Sequence, residues 1–109
     1  MDIDKEILKG YIDTIILSLL QEKPLYGFEM AKKVREKSHD EFELKEGTMY
    51  LALKRLEYNG LVEYFWGEEV SGGGRRKYYR LLPLGKERLL QKKAEWEFIK
   101  KMINVFLEE

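Results

Sequence analysis

At 109 residues the chain is long enough for one domain with an adequate but not generous core. Its 20 lysines and arginines balance its 20 aspartates and glutamates, which excludes an argument from bulk charge for a nucleic-acid partner and leaves the distribution of charge to carry one. There is no cysteine, which excludes a disulfide framework and a thiolate metal site, and the longest apolar run, Ile15 to Leu20, is broken by Ser18 and falls short of a membrane span.

The amino terminus, MDIDKEILKG, is acidic and lacks the basic head and cleavage site of a signal peptide, so a cytoplasmic protein is expected. A first helix is predicted from about Asp4 to Gln21. Leu8, Ile12, Ile15, Ile16 and Leu19 form one apolar stripe; Ile3, Ile7 and Tyr11 form a second, continued by Thr14 and Ser18. A helix covered only by its own domain needs one stripe. Two stripes imply either two neighbours or a fully buried central helix.

Glu22 to Gly27 is a breaker segment, with Pro24 ending the first helix and Gly27 at the turn into the next. The second helix is predicted from Gly27 to Lys37, with Phe28, Ala31 and Val34 facing in and Lys32, Lys33, Arg35 and Lys37 on or near the exposed side. His39, the sole histidine, falls in a polar loop. With no cysteine or second histidine beside it, it reads as a surface residue rather than a ligand or base.

The third helix, starting near Glu46 and ended by Asn59-Gly60, carries Met49, Ala52, Leu53 and Leu56 at the three-and-four spacing of a buried face. Gly47, Leu51, Lys54 and Tyr58 fall opposite, flanked by Thr48 and Arg55 on one side and Tyr50 on the other. That outward face is small, aromatic and basic at once, which suits a nucleic-acid groove. Only Thr48 offers a capping side chain near the helix start.

Two strands rich in aromatic and β-branched residues follow, at about Leu61–Trp66 and Lys77–Leu82. Gly72-Gly73-Gly74 forms the tip. It is not a phosphate loop, because no Gly-Lys-Ser/Thr follows and the next element is a strand. Arg75, Arg76 and Lys77 read either as a solubilising edge or as cations aimed at a phosphate backbone. Beside a basic helix face the second reading is preferred. Residues 45–80 hold seven basic and five acidic side chains, against three and five in residues 1–25.

The last helix is predicted from Pro83 to Leu107, with Pro83 suited to its first turn. Its apolar positions, among them Leu89, Trp96, Ile99 and Ile103, leave only a narrow polar strip through Lys93, Glu97, Lys100, Asn104 and Glu108. So wide an apolar arc calls for a second subunit, with this helix and the outer stripe of the first forming the seam. The fold class expected is mainly α with a small β-hairpin. Residues 1–82 would form a winged helix-turn-helix and residues 83–109 a dimerisation helix packed on the same domain.

LYGFEM at Leu25–Met30, GTMYLALKRLEYNGLVEYFW and SGGGRRKYYRLLPLGKERL together resemble, in order and spacing, the PadR-like transcriptional regulators, over nearly the whole chain. The short length and single carboxy-terminal helix resemble the compact members. Two departures stand out: Pro83 starts the last helix where the family often has a threonine cap, and Glu68-Glu69 temper the positive charge of the wing. The resemblance implies a homodimer, usually a repressor, reading a palindromic operator. It also implies, in some compact members, a flat-sided cavity between subunits where a tryptophan stacks on planar hydrophobic drugs. Trp96 matches that tryptophan, with Ile7, Thr14, Ile99 and Ile103 expected near it.

The function expected is therefore a DNA-binding regulator. Thr48, Tyr50, Lys54 and Arg55 would serve the groove and its phosphates, and Arg75, Arg76 and Lys77 the flanking backbone. Its partners would be duplex DNA, a second copy of the chain and a planar hydrophobic effector. No enzyme is expected, since one histidine and no paired carboxylates supply no catalytic set, and no cofactor or metal is expected. The alternative is a winged helix that binds protein, compatible with zero net charge and an acidic wing turn.

Overall fold

The computed structural model describes residues 3–71 and 74–108. Gly72 and Gly73 of the expected glycine tip lie outside them, and so does the side chain of Glu69. The first helix, α1 (Lys5–Leu19), begins at Asp4, whose Oδ1 accepts the Glu6 N–H at 2.8 Å. Ile12, Ile16, Leu17 and Leu19 are its buried face, while Ile3, Ile7 and Tyr11 are exposed. The reading of α1 as a fully buried central helix therefore fails within one chain.

The expected breaker segment contains a short strand, β1 (Leu25–Tyr26), which runs straight into α2 (Gly27–Lys37). Two residues are too few for periodicity to reveal; only their pairing with a distant strand defines them. Within α2, Met30 and Val34 are buried. Phe28, expected to face inward, is 65 % exposed. The physical reason is that Phe28 stands in the first turn, beyond the edge of the core, and stacks on Tyr26 instead, with ring centroids 6.5 Å apart.

α3 (Glu46–Tyr58) buries the expected set Met49, Ala52, Leu53 and Leu56. It starts from Lys45 without any side-chain cap, so Thr48 does not serve as one. Gly60 follows with φ +72, a left-handed value that glycine adopts without a Cβ penalty. That turn lets the Leu61 N–H return to the Leu56 carbonyl at 2.9 Å and launches β2 (Val62–Ser71) at once.

β2 and β3 (Gly74–Leu81) form the wing, longer than the aromatic runs alone predict. The sheet order is β1-β3-β2, all antiparallel, with Leu25 opposite Tyr79 and Tyr64 opposite Tyr79 on the other side. The register slips between Trp66 and Val70, where β2 carries extra residues past Gly67. A Cβ on Gly67 would stand 2.7 Å from the Tyr78 ring.

α4 (Pro83–Leu107) starts at Pro83, as expected. Gly85 in its first turn is buried against the Leu61 carbonyl, where an added Cβ has no room. The same carbonyl accepts the Leu82 N–H at 3.0 Å, so the end of the wing, the start of β2 and the root of α4 meet at one point. The core lies among α1, α2, α3 and the sheet, with Ile16, Leu25, Met30, Leu53 and Leu61 almost wholly buried. Only Gly85 and Leu89 of α4 are buried; Leu90, Phe98, Val105, Phe106 and Leu107 are well exposed. Among the described residues no helix is long and apolar enough to cross a membrane.

Candidate nucleic-acid interface

The helix wheel of α3 dictates two faces, and the structure has both. Opposite the buried stripe, Leu51, Lys54 and Tyr58 are exposed, Tyr58 at 91 %, and Thr48 is exposed on their flank. Tyr50 is partly exposed, and its hydroxyl lies where a Cβ on Gly27 would stand, 2.5 Å away. A side chain at position 27 would therefore displace the Tyr50 ring from its place against the start of α2. Among the described residues Lys54 has no ion pair or hydrogen bond, so its ammonium is available on the outer face.

Arg55 is placed differently from Lys54. Its Nη2 donates to Asp13 Oδ1 at 2.7 Å and its Nε to Asp13 Oδ2 at 3.5 Å, with both side chains about one-third exposed. The forked geometry of a guanidinium suits a carboxylate held this way. Arg55 thus ties α3 to α1. The sequence distance of 42 residues hides this pairing from any local reading.

Alternation along the strands sorts the wing side chains onto two faces. On one, Lys77 lies over the Tyr64 ring, with its Nζ 4.0 Å from the centroid, and near Trp66 and Tyr79 at 5.9 and 5.6 Å. Tyr79 is buried, and burial pushes its phenol above the ordinary tyrosine value, with Lys77 pulling the other way. On the other face, Phe65 and Tyr78 stack at 5.5 Å, Arg80 covers Phe65 at 4.6 Å, and Arg80 Nε donates to Glu63 Oε1 at 2.8 Å. Arg76 lies over the Tyr26 ring, 4.7 Å from its centroid. Arg75 is exposed near the start of β3.

These elements enclose a cleft of about 370 Å³ between the start of α2, the start of α3 and the wing. Tyr26, Phe28, Tyr50, Glu46, Arg76 and Lys77 line it. The fold therefore brings Tyr50 of the expected groove set together with Arg76 and Lys77 of the wing set. Tyr26 and Phe28 are additions. The signal for them is the run Leu25-Tyr26-Gly27-Phe28, in which two aromatics flank a glycine at a turn.

A second concavity, of about 530 Å³, lies between α1 and α4 and is lined by Ile7, Gly10, Tyr11, Thr14, Ile15, Lys92, Glu95, Trp96 and Ile99. Four of the five residues expected around a ligand, Ile7, Thr14, Trp96 and Ile99, are on its wall. Ile103 lies about two turns beyond Trp96 along α4 and does not line the groove. Tyr11, absent from the expected set, meets Trp96 edge-on at 5.7 Å. Its signal was its place on the outer stripe with Ile7. Among the described residues no group of three His, Asp or Glu could hold a metal ion.

Residues 16–91 match the model of the Transcriptional regulator PadR-like family. The structure is similar to that of a transcriptional regulator from Clostridium thermocellum, with TM-score 0.87 and 45 % identity over 98 % of this chain and 100 % of that one. It is also similar to a PadR family transcription regulator from Clostridium difficile, with TM-score 0.80 and 57 % identity over 90 % of this chain and 99 % of that one. An uncharacterized protein of Lysinibacillus sphaericus is 40 % identical over 103 residues, 94 % of each chain.

Proposed function

The chain belongs to the PadR-like family, whose members are transcriptional regulators and not enzymes, and from that premise we propose that it is a homodimeric repressor that binds a palindromic operator. The observation that carries this reading is the outer face of α3. Leu51, Lys54 and Tyr58 stand bare on it, with Thr48 on their flank, while the opposite face is wholly committed to the core. An exposed helix face of this kind, with a basic wing beside it, fits the major groove, and two copies would engage half-sites about one helical turn apart. Residues 1–82 supply the winged helix-turn-helix and residues 83–109 the dimerisation helix.

Thr48, Tyr50 and Lys54 serve the groove, and Arg75, Arg76 and Lys77 the flanking backbone. Arg55, paired with Asp13, acts by fixing the pitch of α3 on α1. The second copy covers the exposed apolar residues of α4 together with Ile3, Ile7 and Tyr11 of α1, an extent of bare apolar surface unusual for a monomer. Trp96 and its counterpart in the partner subunit then flank a site for a planar hydrophobic effector that releases the DNA.

Electrophoretic shift against the DNA upstream of the protein's own coding sequence tests the output. Binding should weaken steeply with salt, and a salt-insensitive association would favour a protein-binding winged helix instead. The input is tested by tryptophan quenching with planar cationic compounds. Because Trp66 on the wing is also exposed, at 55 %, the titration uses Trp66→Phe protein. Saturable quenching of the one remaining tryptophan, Trp96, supports the effector site; no quenching over a broad panel removes it.

A further inference from the structure

Gly27 is the first residue of α2 and is buried. A glycine in a helix costs more backbone entropy than an alanine would. The backbone here does not ask for one, because the φ of Gly27 lies outside the left-handed region that Gly60 and Gly74 occupy. What asks for it is space. A Cβ at position 27 would stand 2.5 Å from the Tyr50 hydroxyl oxygen, 3.2 Å from the ring carbon that bears it and 3.0 Å from Met49 Cε. The missing methyl is therefore the seat of the Tyr50 hydroxyl, with Met49 of the core beside it. Tyr50 is nonetheless partly exposed and lines the cleft between the starts of α2 and α3 and the wing. Among the described residues its hydroxyl makes no hydrogen bond.

We infer that Gly27 is a positioning residue for DNA binding: the space left by its absent side chain seats the Tyr50 hydroxyl at the junction of α2 and α3, where it donates to a phosphate oxygen of the duplex whose groove receives α3. The inference rests on the DNA-binding reading above and deepens it, moving Tyr50 from the groove to the strand that borders it. In a helix-turn-helix the second helix enters the major groove while the first crosses the backbone. Here α3 is the entering helix and α2 the crossing one, so a hydroxyl lodged on the first residue of α2 falls on the path of the phosphates. A tyrosine hydroxyl is a neutral donor of the kind that contacts phosphate oxygens and sets the register of a protein on the duplex. Two side-chain torsions separate that hydroxyl from the backbone. Its seat restricts both before DNA arrives, which lowers the ordering cost of the contact. A methyl at position 27 leaves the fold intact, because the atom it meets is the tip of a partly exposed side chain that can swing aside. What it removes is the placement.

The test is affinity for the DNA upstream of the coding sequence, its salt dependence and the melting temperature, for Gly27→Ala, Tyr50→Phe and the two combined. Tyr50→Phe keeps the ring, loses the donor and, at a partly exposed position, does not threaten folding. It should weaken binding roughly five- to tenfold, the scale of a hydrogen bond to a charged acceptor. The lost contact is neutral, so the log–log salt slope should stay as in wild type, where loss of a lysine or arginine contact would lower it by about one. Gly27→Ala should weaken binding by a similar factor, again with the slope unchanged, and should add nothing in the Tyr50→Phe background. Any fall in melting temperature caused by Gly27→Ala should likewise shrink in that background, where the hydroxyl is no longer in the way. If Gly27→Ala binds as wild type, or costs as much without the hydroxyl as with it, the positioning role is overturned. If Tyr50→Phe binds as wild type, the phosphate contact is overturned. If the wild-type protein fails to shift DNA at all, it is the DNA-binding reading that falls.

Discussion

The wing and the last helix both expose large apolar and aromatic side chains, and they do so differently. On the wing each exposed ring has a partner within the chain: Tyr64 and Trp66 flank Lys77, Phe65 carries Arg80 and stacks on Tyr78, and Tyr26 carries Arg76. On α4, past Trp96, the described residues Phe98 and Phe106 touch no other ring and no cation, and Met102, Ile103, Val105 and Leu107 stand bare beside them. A ring paired with a cation keeps its face covered and presents charge to the surroundings. A bare apolar arc presents only surface that water disfavours. Exposure alone therefore does not distinguish the two surfaces; the pairing of the exposed groups does.

The largest way to break this comparison is to charge the bare arc. Met102→Glu with Phe106→Glu should convert a dimer to monomers in sedimentation and cost operator binding roughly a hundredfold or more through lost bivalency. A persisting dimer would mean that the seam lies elsewhere. Next comes the joint between the two regions. Gly85→Ala sets a methyl against the Leu61 carbonyl, and thermal or urea unfolding should show a loss of about 2 kcal/mol, since backbone at that contact cannot yield as a flexible side chain would.

Lys54→Ala sharpens the comparison from the DNA side. Binding should weaken roughly tenfold, with the dimer and its melting temperature unchanged. Asp13→Asn should do the reverse, lowering stability by about 1 kcal/mol, as for a well-formed but partly solvated ion pair. It should leave the salt slope of binding unaltered if Arg55 makes no phosphate contact. The smallest effect is expected at Glu63→Gln. Its pair with Arg80 is nearly half exposed on both sides, so unfolding should shift by less than about 0.5 kcal/mol.

How much of this was legible in the chain depends on the range of the forces involved. The two faces of α3, the left-handed stop at Gly60, the start of α4 at Pro83 and the double stripe on α1 all follow from near-neighbour geometry, in which side chains three and four residues apart share a face. The groove between α1 and α4 was expected from the family resemblance rather than from periodicity, and Ile7, Thr14, Trp96 and Ile99 line it. Near-neighbour geometry failed at Phe28, where the first turn of a helix has too little periodicity behind it to say which way a ring points. It failed at β1, whose two residues become a strand only by pairing with Tyr78 and Tyr79.

Arg55 shows the boundary most clearly. By its place on the wheel it flanks the outer face that holds Lys54, and sequence alone assigns both to the same surface. What separates them is Asp13, brought up by α1 to within hydrogen-bond reach. Local pattern determined which elements form and which faces are apolar, since helical and strand periods are properties of a short stretch of backbone. Only the tertiary structure decided which cation is held by an acid, which is stacked on a ring and which stands exposed with neither. Those outcomes depend on distances between groups that the chain separates by dozens of residues, and at such separations the period of a helix carries no information.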